Sequence, residues 1–429
     1  MKRKIMDSLL EWKNRENRKP LILWGARQVG KTWSLQEFGN NYFDNTVYIS
    51  FYNNKYMADI FEIDYDVNRI IKSIEIMMHV TIEPEKTLLI FDEVQGATKV
   101  VESLKYFCED APDYAVACAG SLLGVALHEG VSFPVGKVDM LNLYPMTFEE
   151  FLWALDEHRL AEYLKDYNNR EINDFRQTYI QYLKLYYIVG GMPEAVKRYS
   201  ESRNLNEVRQ YQNEILHQYE GDFGKHIPYN QLPRINQVWN AIPLQLAKEN
   251  KKFFFGQIKK GARSKDYETA IQWLVDCGLI YKVNKVSKPN IPLKAYINVS
   301  SFKLYLIDIG LLGALSELDY SSILEGNRLF VEFKGALTEQ FVYQQLISET
   351  NYPVYYYSNE KNRYEVDFII QKEGSVVPIE VKAEENLRSR SLRAFYDKYS
   401  PETVIRLSMA GMKKEDWLVN IPLWAVQSI

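Results

Sequence analysis

Eight residues near the N-terminus have types and a spacing suited to binding phosphate. Residues 25–32 follow the pattern G-x-x-x-x-G-K-[ST]. Its two glycines allow backbone conformations that turn successive N–H groups toward one anion. The pattern predicts that Lys31 contacts the β- and γ-phosphates of ATP and that Thr32 binds Mg²⁺. The candidate nucleotide-binding residues are Gly25, Ala26, Arg27, Gln28, Val29, Gly30, Lys31, Thr32 and Trp33.

A pair of carboxylates follows the apolar run at residues 88–91. Such a run is typical of a buried parallel strand, whose C-terminal end faces the ligand crevice. We expect Asp92 to hold Mg²⁺, directly or through water, and Glu93 to orient and polarise the attacking water. The glutamate directly after the aspartate favours hydrolysis over nucleotide binding alone.

A third candidate for the same site ends the apolar run at residues 116–120. Ser121 is placed to sense the γ-phosphate from the end of the next strand. It is equally suited to cap the N-terminus of a following helix, and the two roles do not exclude each other.

A second constellation lies in the last hundred residues and consists of Glu339, Asp367, Glu380 and Lys382. Asp367 and Glu380 on neighbouring strands could share a Mg²⁺ ion, with Glu339 reaching in from a helix. Lys382 lies two residues after Glu380, on the same strand face, where it could activate water or stabilise developing charge. The alternative is an exposed polar strand face with no chemistry.

The N-terminal elements that would position the first site alternate between strands and helices. Apolar runs at residues 21–24, 47–51, 88–91, 114–119 and 138–143 predict strands, and helical patterns at 66–79 and 99–109 lie between them. This alternation predicts an α/β fold with a parallel, helix-covered sheet. An amphipathic helix over residues 2–19 is expected to pack beside it.

The C-terminal elements are predicted as a helix over 333–348, strands over 354–358, 364–370 and 376–382, a helix over 388–396 and a strand over 404–407. This order, with its acidic residues and lysine, resembles the PD-(D/E)xK nuclease fold. Because a fold does not determine function, active nuclease chemistry remains a separate question.

The middle of the chain is helical in pattern from residue 149 to 221, and residues 222–226 are expected to interrupt the helix. Residues 230–300 resemble a winged-helix module. A basic cluster precedes its third helix and could contact DNA phosphates or form a solvated face. The cluster comprises Lys251, Lys252, Lys259, Lys260, Arg263 and Lys265.

Composition narrows the class of protein. The chain has 429 residues and a net charge of −4, which excludes a uniformly basic nucleic-acid coat. Its three cysteines lack metal-binding spacing and indicate a reducing compartment. No apolar stretch approaches the ~18 residues of a membrane span, and the basic N-terminus lacks the apolar core of a signal peptide. A cytoplasmic location is expected.

Several motifs together resemble prokaryotic AAA-type P-loop ATPases that carry a C-terminal DUF4143 domain. They lie at residues 25–32, 92–95, 119–121, 132–137, 143–152, 189–195 and 303–312. The resemblance implies ATP and Mg²⁺ as cofactors and an ATP site that a neighbouring subunit often completes. Many relatives carry arginine where this chain has Lys137, and lysine is the weaker phosphate ligand. Arg27 is a candidate for contacting a phosphate or a partner.

We therefore expect a P-loop NTPase sheet of the ASCE/AAA type followed by three modules. The predicted divisions are 1–155 for the ATPase core, 156–229 for a helical connector, 230–328 for the winged helix and 329–429 for the PD-(D/E)xK-like domain. The expected function is a Mg²⁺-dependent ATPase that couples nucleotide state to a module binding or cleaving DNA or RNA. The alternative is a nucleotide-dependent switch or scaffold that binds a protein partner through a catalytically inactive nuclease-like domain.

Overall fold

The structure is a computed structural model that describes residues 1–120, 133–164, 171–227, 230–248, 251–325, 331–359, 364–384 and 388–429. It divides into two compact units. The first comprises Lys2–Tyr144 and Asp276–Gly278, and the second comprises Met1, Pro145–Val275 and Leu279–Ile429. The division at residue 145 lies N-terminal to the boundary expected after residue 155.

The first unit is built on a five-stranded parallel sheet. Its strands are β1 (Leu21–Trp24), β2 (Asn45–Ser50), β3 (Thr87–Asp92), β4 (Ala115–Ala119) and β5 (Asp139–Asn142). They lie in the order β2-β3-β4-β1-β5, and each neighbouring pair is parallel. The predicted parallel sheet of a P-loop fold is confirmed. Because all strands are parallel, the C-terminal ends of β1 and β3 lie at one edge of the sheet.

The helices of this unit are Ile5–Lys13, Lys31–Tyr42, Lys55–Ile63, Val67–Met78 and Thr98–Asp110, with a 3₁₀ turn at Val94–Gly96. The first helix is shorter than the predicted span of 2–19. Its buried Trp12 donates an indole N–H hydrogen bond to the carbonyl of Lys19, 2.8 Å away. This bond fastens the segment after the helix back against it, so the chain turns toward β1 instead of continuing the helix.

The helices of the second unit lie before and between its strands. They are Phe148–Ala154, His158–Tyr163, Glu171–Asp174, Arg176–Val189, Pro193–Ser202, Leu205–His226, Leu232–Leu246, Phe255–Ile258, Glu268–Asp276, Ile309–Leu315, Tyr320–Glu325, Val331–Glu349 and Arg390–Tyr399. Short 3₁₀ turns occur at Ser264–Asp266, Leu293–Tyr296 and Leu423–Ser428. No helix in the described part of the chain has the length and apolar character needed to cross a membrane.

The expected interruption at residues 222–226 is wrong, because the helix Leu205–His226 continues through it. Phe223 is fully buried there. Its ring meets Trp239 and Trp273 edge-to-face, with centroids 5.7 and 5.5 Å apart. Burial of this aromatic side chain outweighs the low helix propensity of the nearby glycines.

The eight strands of the second unit form one mixed sheet. They are β6 (Ile280–Val286), β7 (Ile297–Leu306), β8 (Tyr355–Ser358), β9 (Glu365–Lys372), β10 (Ser375–Val381), β11 (Ile405–Ser408), β12 (Lys413–Lys414) and β13 (Val419–Pro422). Their order is β12-β13-β11-β10-β9-β8-β6-β7. The sheet crosses the expected boundary at residue 328, because β6 pairs in parallel with β8.

Candidate functional site

The loop after β1 has the backbone conformation that its glycines predict. Gly30 has a φ of 94° directly before the helix Lys31–Tyr42, and Gln28 also has a positive φ of 68°. Gly25 lies against the chain after β5, since a Cβ at this position would stand only 2.3 Å from the carbonyl oxygen of Leu143. The loop therefore requires glycine at position 25 for space and at position 30 for conformation.

A residue that the sequence analysis did not single out supports this loop. Arg3 is buried and donates hydrogen bonds to the carbonyls of Val29 at 2.9 Å and Tyr144 at 2.7 Å. Its guanidinium connects the loop to the chain that follows β5. Of the other predicted nucleotide-binding residues, Ala26 and Val29 are buried while Arg27 and Trp33 are exposed.

The Lys31 ammonium bends back over the loop. It donates hydrogen bonds to the carbonyls of Gly25 and Ala26, both 2.7 Å away. Burial lowers the pKa of Lys31 to about 8, although the carboxylates of Glu93 and Asp92 oppose this shift. Burying this ammonium is costly, and the phosphate oxygens of a nucleotide bound in the loop would stabilise its charge. The Lys31 ammonium and the loop N–H groups therefore fit a nucleotide.

Asp92 and Thr32 meet at the end of β3. The Thr32 hydroxyl donates a 2.6 Å hydrogen bond to Asp92 Oδ2, and the Tyr48 hydroxyl donates a second to the same oxygen at 2.9 Å. A hydroxyl and a carboxylate oxygen are ligands that Mg²⁺ prefers, so these two residues fit the predicted metal site. The contact with Asp92 and burial raise the pKa of Tyr48 to about 12, with burial the larger cause.

Glu93, the residue directly after β3, has an unusual backbone conformation. Its backbone is left-handed, with φ 55° and ψ 40°. Its N–H donates to Asp92 Oδ1 at 2.9 Å, and Gln95 donates to its carboxylate. The side chain of Glu93 is half-buried, whereas that of Asp92 is buried.

Two predicted residues of this site remain, Ser121 and Lys137. Ser121 lies outside the described residues. Lys137 forms an ion pair with Glu109 at 2.8 Å, which raises the pKa of Lys137 and lowers that of Glu109. In this structure the Lys137 ammonium therefore serves a local surface contact.

The C-terminal candidates come together in the second unit. Glu339 belongs to the helix Val331–Glu349, Asp367 to β9 and Glu380 to β10. β9 and β10 pair antiparallel up to Phe368 and Ile379, and the next residues of that register are Asp367 and Glu380. The Val381 N–H donates to Asp367 Oδ2 at 2.8 Å. The strand spacing that the sequence predicted thus brings the two carboxyl groups side by side.

Two lysines that were not predicted to belong to this cluster neutralise Glu339. Lys251 donates to Glu339 Oε1, and the fully buried Lys303 lies 3.5 Å from Oε2. The Tyr305 hydroxyl also donates to Oε2, at 3.2 Å. Although burial opposes ionisation, these ammonium groups lower the pKa of Glu339 to about 2.

The other carboxyl groups of the cluster differ in charge state and partners. Burial and the Glu339 carboxylate raise the pKa of Asp367 well above its ordinary value, which disfavours its charged form. Lys382 pairs with Glu380 Oε1 at 2.6 Å, and Lys303 pairs with Glu365 at 2.6 Å. Among the described residues, no group of three or more His, Cys, Asp or Glu side chains is arranged to hold a metal ion.

A pocket of about 920 Å³ opens over this cluster. Five lysines and four carboxylic residues line it, together with Phe254, Tyr356 and Tyr364. Lysines outnumber carboxylic residues in this lining, so it has an excess of positively charged groups. The lining lysines are Lys248, Lys251, Lys252, Lys285 and Lys382.

The glycine motif at residues 189–195 meets the motif at 303–312 in a separate buried contact. Asp308 is fully buried and accepts hydrogen bonds from the Gly191 N–H at 2.6 Å, the Leu311 N–H at 3.1 Å and Gln344 at 3.0 Å. A Cβ at Gly190 would lie 2.1 Å from Asp308 Oδ1. These residues hold helices of the second unit together and lie outside the pocket lining.

Comparison with protein families gives three matches. Residues 17–152 match an AAA domain, and residues 334–426 match DUF4143, a domain of unknown function. Residues 180–322 match a second domain of unknown function, DUF8612. The resemblance to AAA-type P-loop ATPases with a C-terminal DUF4143 domain is thereby confirmed for both parts of the chain. No protein of curated function matches the sequence.

Similar solved structures include the Walker-type ATPase PABY2304 of Pyrococcus abyssi. It is 14% identical with a TM-score of 0.45, over 73% of this chain and 95% of that one. The Aeropyrum pernix ORC1 protein in complex with DNA is 12% identical with a TM-score of 0.27, over 75% and 92%. AMPPCP-bound DnaA from Aquifex aeolicus is 14% identical with a TM-score of 0.26, over 63% and 85%. These similarities are too low to indicate a shared function.

Proposed function

We propose that the protein is a Mg²⁺-dependent ATPase. The observation that carries this proposal is the 2.6 Å hydrogen bond between Thr32 and Asp92, formed where the phosphate-binding loop and the end of β3 meet. It joins the two predicted Mg²⁺ ligands, and Lys31 and Glu93 lie beside them in the sequence.

Each residue of this site has a distinct role. The loop N–H groups and Lys31 bind the phosphates, while Thr32 and Asp92 hold the metal ion, directly or through water. A Mg²⁺ ion held there would neutralise charge on the phosphate oxygens. Glu93 orients a water molecule and polarises it for attack on the γ-phosphorus. Tyr48 positions Asp92 by hydrogen bonding its carboxylate.

The test compares phosphate release by the parent with that by Lys31→Ala, in Mg²⁺ and in EDTA. Lys72→Ala is the matched control, because Lys72 is an exposed lysine in the same unit. We expect turnover in Mg²⁺ for the parent and the control, and none for Lys31→Ala. Equal turnover by Lys31→Ala would remove the site assignment.

We further propose that the second unit engages nucleic acid and that ATP state is coupled to this engagement. The order helix, three strands, helix, strand supports the PD-(D/E)xK-like fold. The helices Leu232–Leu246, Phe255–Ile258 and Glu268–Asp276, followed by the antiparallel pair β6 and β7, support the winged-helix interpretation. The lysine-lined pocket favours a polyanionic ligand over a neutral one.

Cleavage of nucleic acid has weaker support than binding. A metal-dependent nuclease site would need Glu339, Asp367 and Glu380 to be available as ligands, with Lys382 beside them. Glu339 is occupied by Lys251, Lys303 and Tyr305, and burial together with the Glu339 carboxylate raises the pKa of Asp367, which disfavours the carboxylate form that a metal ligand needs. The residues do not fit a three-carboxylate metal site in this arrangement, so no catalytic step is assigned to them.

A protein partner remains the alternative to nucleic acid for the second unit. Steady-state ATPase rates measured with and without DNA or RNA distinguish the two. Stimulation that declines steeply as salt is raised supports a nucleic-acid partner. An unchanged ATPase rate with every nucleic acid tested supports the nucleotide-dependent switch or scaffold.

A further inference from the structure

In the second unit, the ammonium groups of Lys251 and Lys303 pair with Glu339, one of the three carboxylic residues predicted there as metal ligands. We propose that the pocket over this cluster binds the backbone of single-stranded nucleic acid without a divalent cation, with Lys252 and Lys285 in its lining supplying the positive charge. The inference rests on the proposed nucleic-acid partner and gives it a specific site and a metal-independent mode of binding.

The first support is that the acidic cluster is already neutralised from within the chain. Lys303 is fully buried and lies 2.6 Å from Glu365 and 3.5 Å from Glu339, so one ammonium serves two carboxylates. Lys251 approaches Glu339 from a different segment. A divalent ion would have to displace these ammonium groups, at the cost of leaving a buried lysine unpaired.

The second support is the excess of lysine around the opening. Lys252 and Lys285 both line the pocket. Burial, and secondarily the nearby Lys252 ammonium, lower the pKa of Lys285. Two ammonium groups that repel each other are both stabilised when a phosphate lies between them, as in the binding of a nucleic-acid backbone.

The third support concerns the aromatic lining and distinguishes single strands from duplexes. Phe254 is 38% exposed, and Tyr364 lines the same pocket. The exposed Phe254 ring, beside Lys252, is suited to stack on an unpaired base, whose face a duplex hides, and the half-buried Tyr364 ring adds a second aromatic surface. The Tyr356 hydroxyl is buried at the pocket and has no hydrogen-bond partner among the described residues, so it is available to a phosphate oxygen.

The test measures fluorescence anisotropy of a labelled oligothymidylate and a labelled oligouridylate with the full-length chain. Titrations in EDTA and in Mg²⁺ at matched ionic strength determine whether a divalent ion contributes. We expect binding in EDTA with affinity within twofold of that in Mg²⁺. An unlabelled duplex of the same length should compete at least tenfold less well than the single strand.

Substitutions then locate the site. In the double variant Lys252→Ala/Lys285→Ala, two phosphate contacts are lost. The slope of log K against log salt should become shallower by about 1.4, and affinity should fall roughly tenfold. The matched control is Lys259→Ala/Lys260→Ala, two exposed lysines outside the pocket lining. The control should retain the parent affinity and slope.

The hydroxyl of Tyr356 offers a second variant with little risk to folding. Tyr356→Phe keeps the ring beside Lys303, whose ammonium lies 5.0 Å from the ring centroid. It removes only a hydroxyl without a partner in the described chain. We expect a several-fold weaker affinity with an unchanged thermal unfolding midpoint.

Three outcomes would overturn the inference: no binding of any strand by the parent, binding that disappears in EDTA, or an equal loss in the control double variant. The third would assign binding to the basic surface of the predicted winged helix instead. Lys31→Ala separates the two proposals, because it removes ATP turnover but should bind the oligonucleotide like the parent in the absence of nucleotide. ATP turnover without oligonucleotide binding would overturn this inference and leave the ATPase intact.

Discussion

The depressed pKa of Lys31 predicts that nucleotide affinity falls as pH rises through about 8. Burial lowers the pKa of this ammonium to about 8 from an ordinary value of 10.5. Phosphate oxygens bound in the loop favour the charged form and raise the pKa again. The nucleotide-bound state therefore holds more protons than the free state above pH 8, and raising the pH weakens binding.

The size of the effect follows from the lowered pKa of Lys31. The protonated fraction of Lys31 in the free protein falls from about nine-tenths at pH 7 to about one-tenth at pH 9. If the bound lysine stays charged throughout, the dissociation constant for ATP rises roughly tenfold over this interval, or about 1.4 kcal/mol. Binding at pH 8 takes up about half a proton.

Isothermal titration calorimetry of ATP binding in EDTA measures both quantities without metal-linked effects. Titrations in two buffers of different ionisation enthalpy yield the proton uptake. Lys31→Arg is the control, because a guanidinium stays charged over this range and its affinity should be independent of pH. A dissociation constant that is constant from pH 7 to 9 in the parent would refute the reasoning, as would an equal slope in Lys31→Arg.

Three other substitutions test contacts that position the elements. Gly25→Ala places a Cβ 2.3 Å from the Leu143 carbonyl oxygen. We expect loss of ATP binding in calorimetry, and an affinity like that of the parent would contradict this close approach. Tyr48→Phe removes a 2.9 Å hydrogen bond to Asp92. The free energy of unfolding of the first unit, measured in urea without nucleotide, should fall by about 1.5–3 kcal/mol. An unchanged unfolding midpoint would mean that the bond contributes nothing. Asp308→Ala leaves the Gly191 and Leu311 N–H groups and Gln344 without their acceptor. The second unit should be destabilised by roughly 3–5 kcal/mol. A destabilisation of less than ~1 kcal/mol would refute the structural role of Asp308.

The positions of the residues at the first site could be predicted from the sequence because the information that sets them is local. Lys31 and Thr32 lie in one loop whose glycines prescribe its backbone, and Asp92 ends an apolar strand whose neighbours are all parallel. Tyr48 was missed because it comes from the middle of β2, at a position that alternation alone interprets as ordinary strand packing. Only the pairing of β2 with β3 brings its hydroxyl to Asp92.

The second site shows the limit of the same reasoning. Spacing along β9 and β10 was sufficient to bring Asp367 and Glu380 together. Lys303 lies between Phe302 and Leu304 in β7, and nothing local indicates that its ammonium is buried against Glu339. Lys251 was assigned to a basic surface cluster, although it approaches a carboxylate 88 positions away. Charge pairing across a sheet depends on tertiary contacts that a single sequence does not reveal.

The most direct test of the ATPase assignment separates binding from hydrolysis with Glu93→Gln. The amide keeps the size of the side chain but cannot act as a base toward water. ATP binding by calorimetry and phosphate release in Mg²⁺ are measured on the same preparation. The account predicts that Glu93→Gln binds ATP within a few-fold of the parent affinity and loses at least a hundredfold in turnover. Turnover equal to that of the parent would contradict the role of Glu93 and, with it, the proposed hydrolytic site.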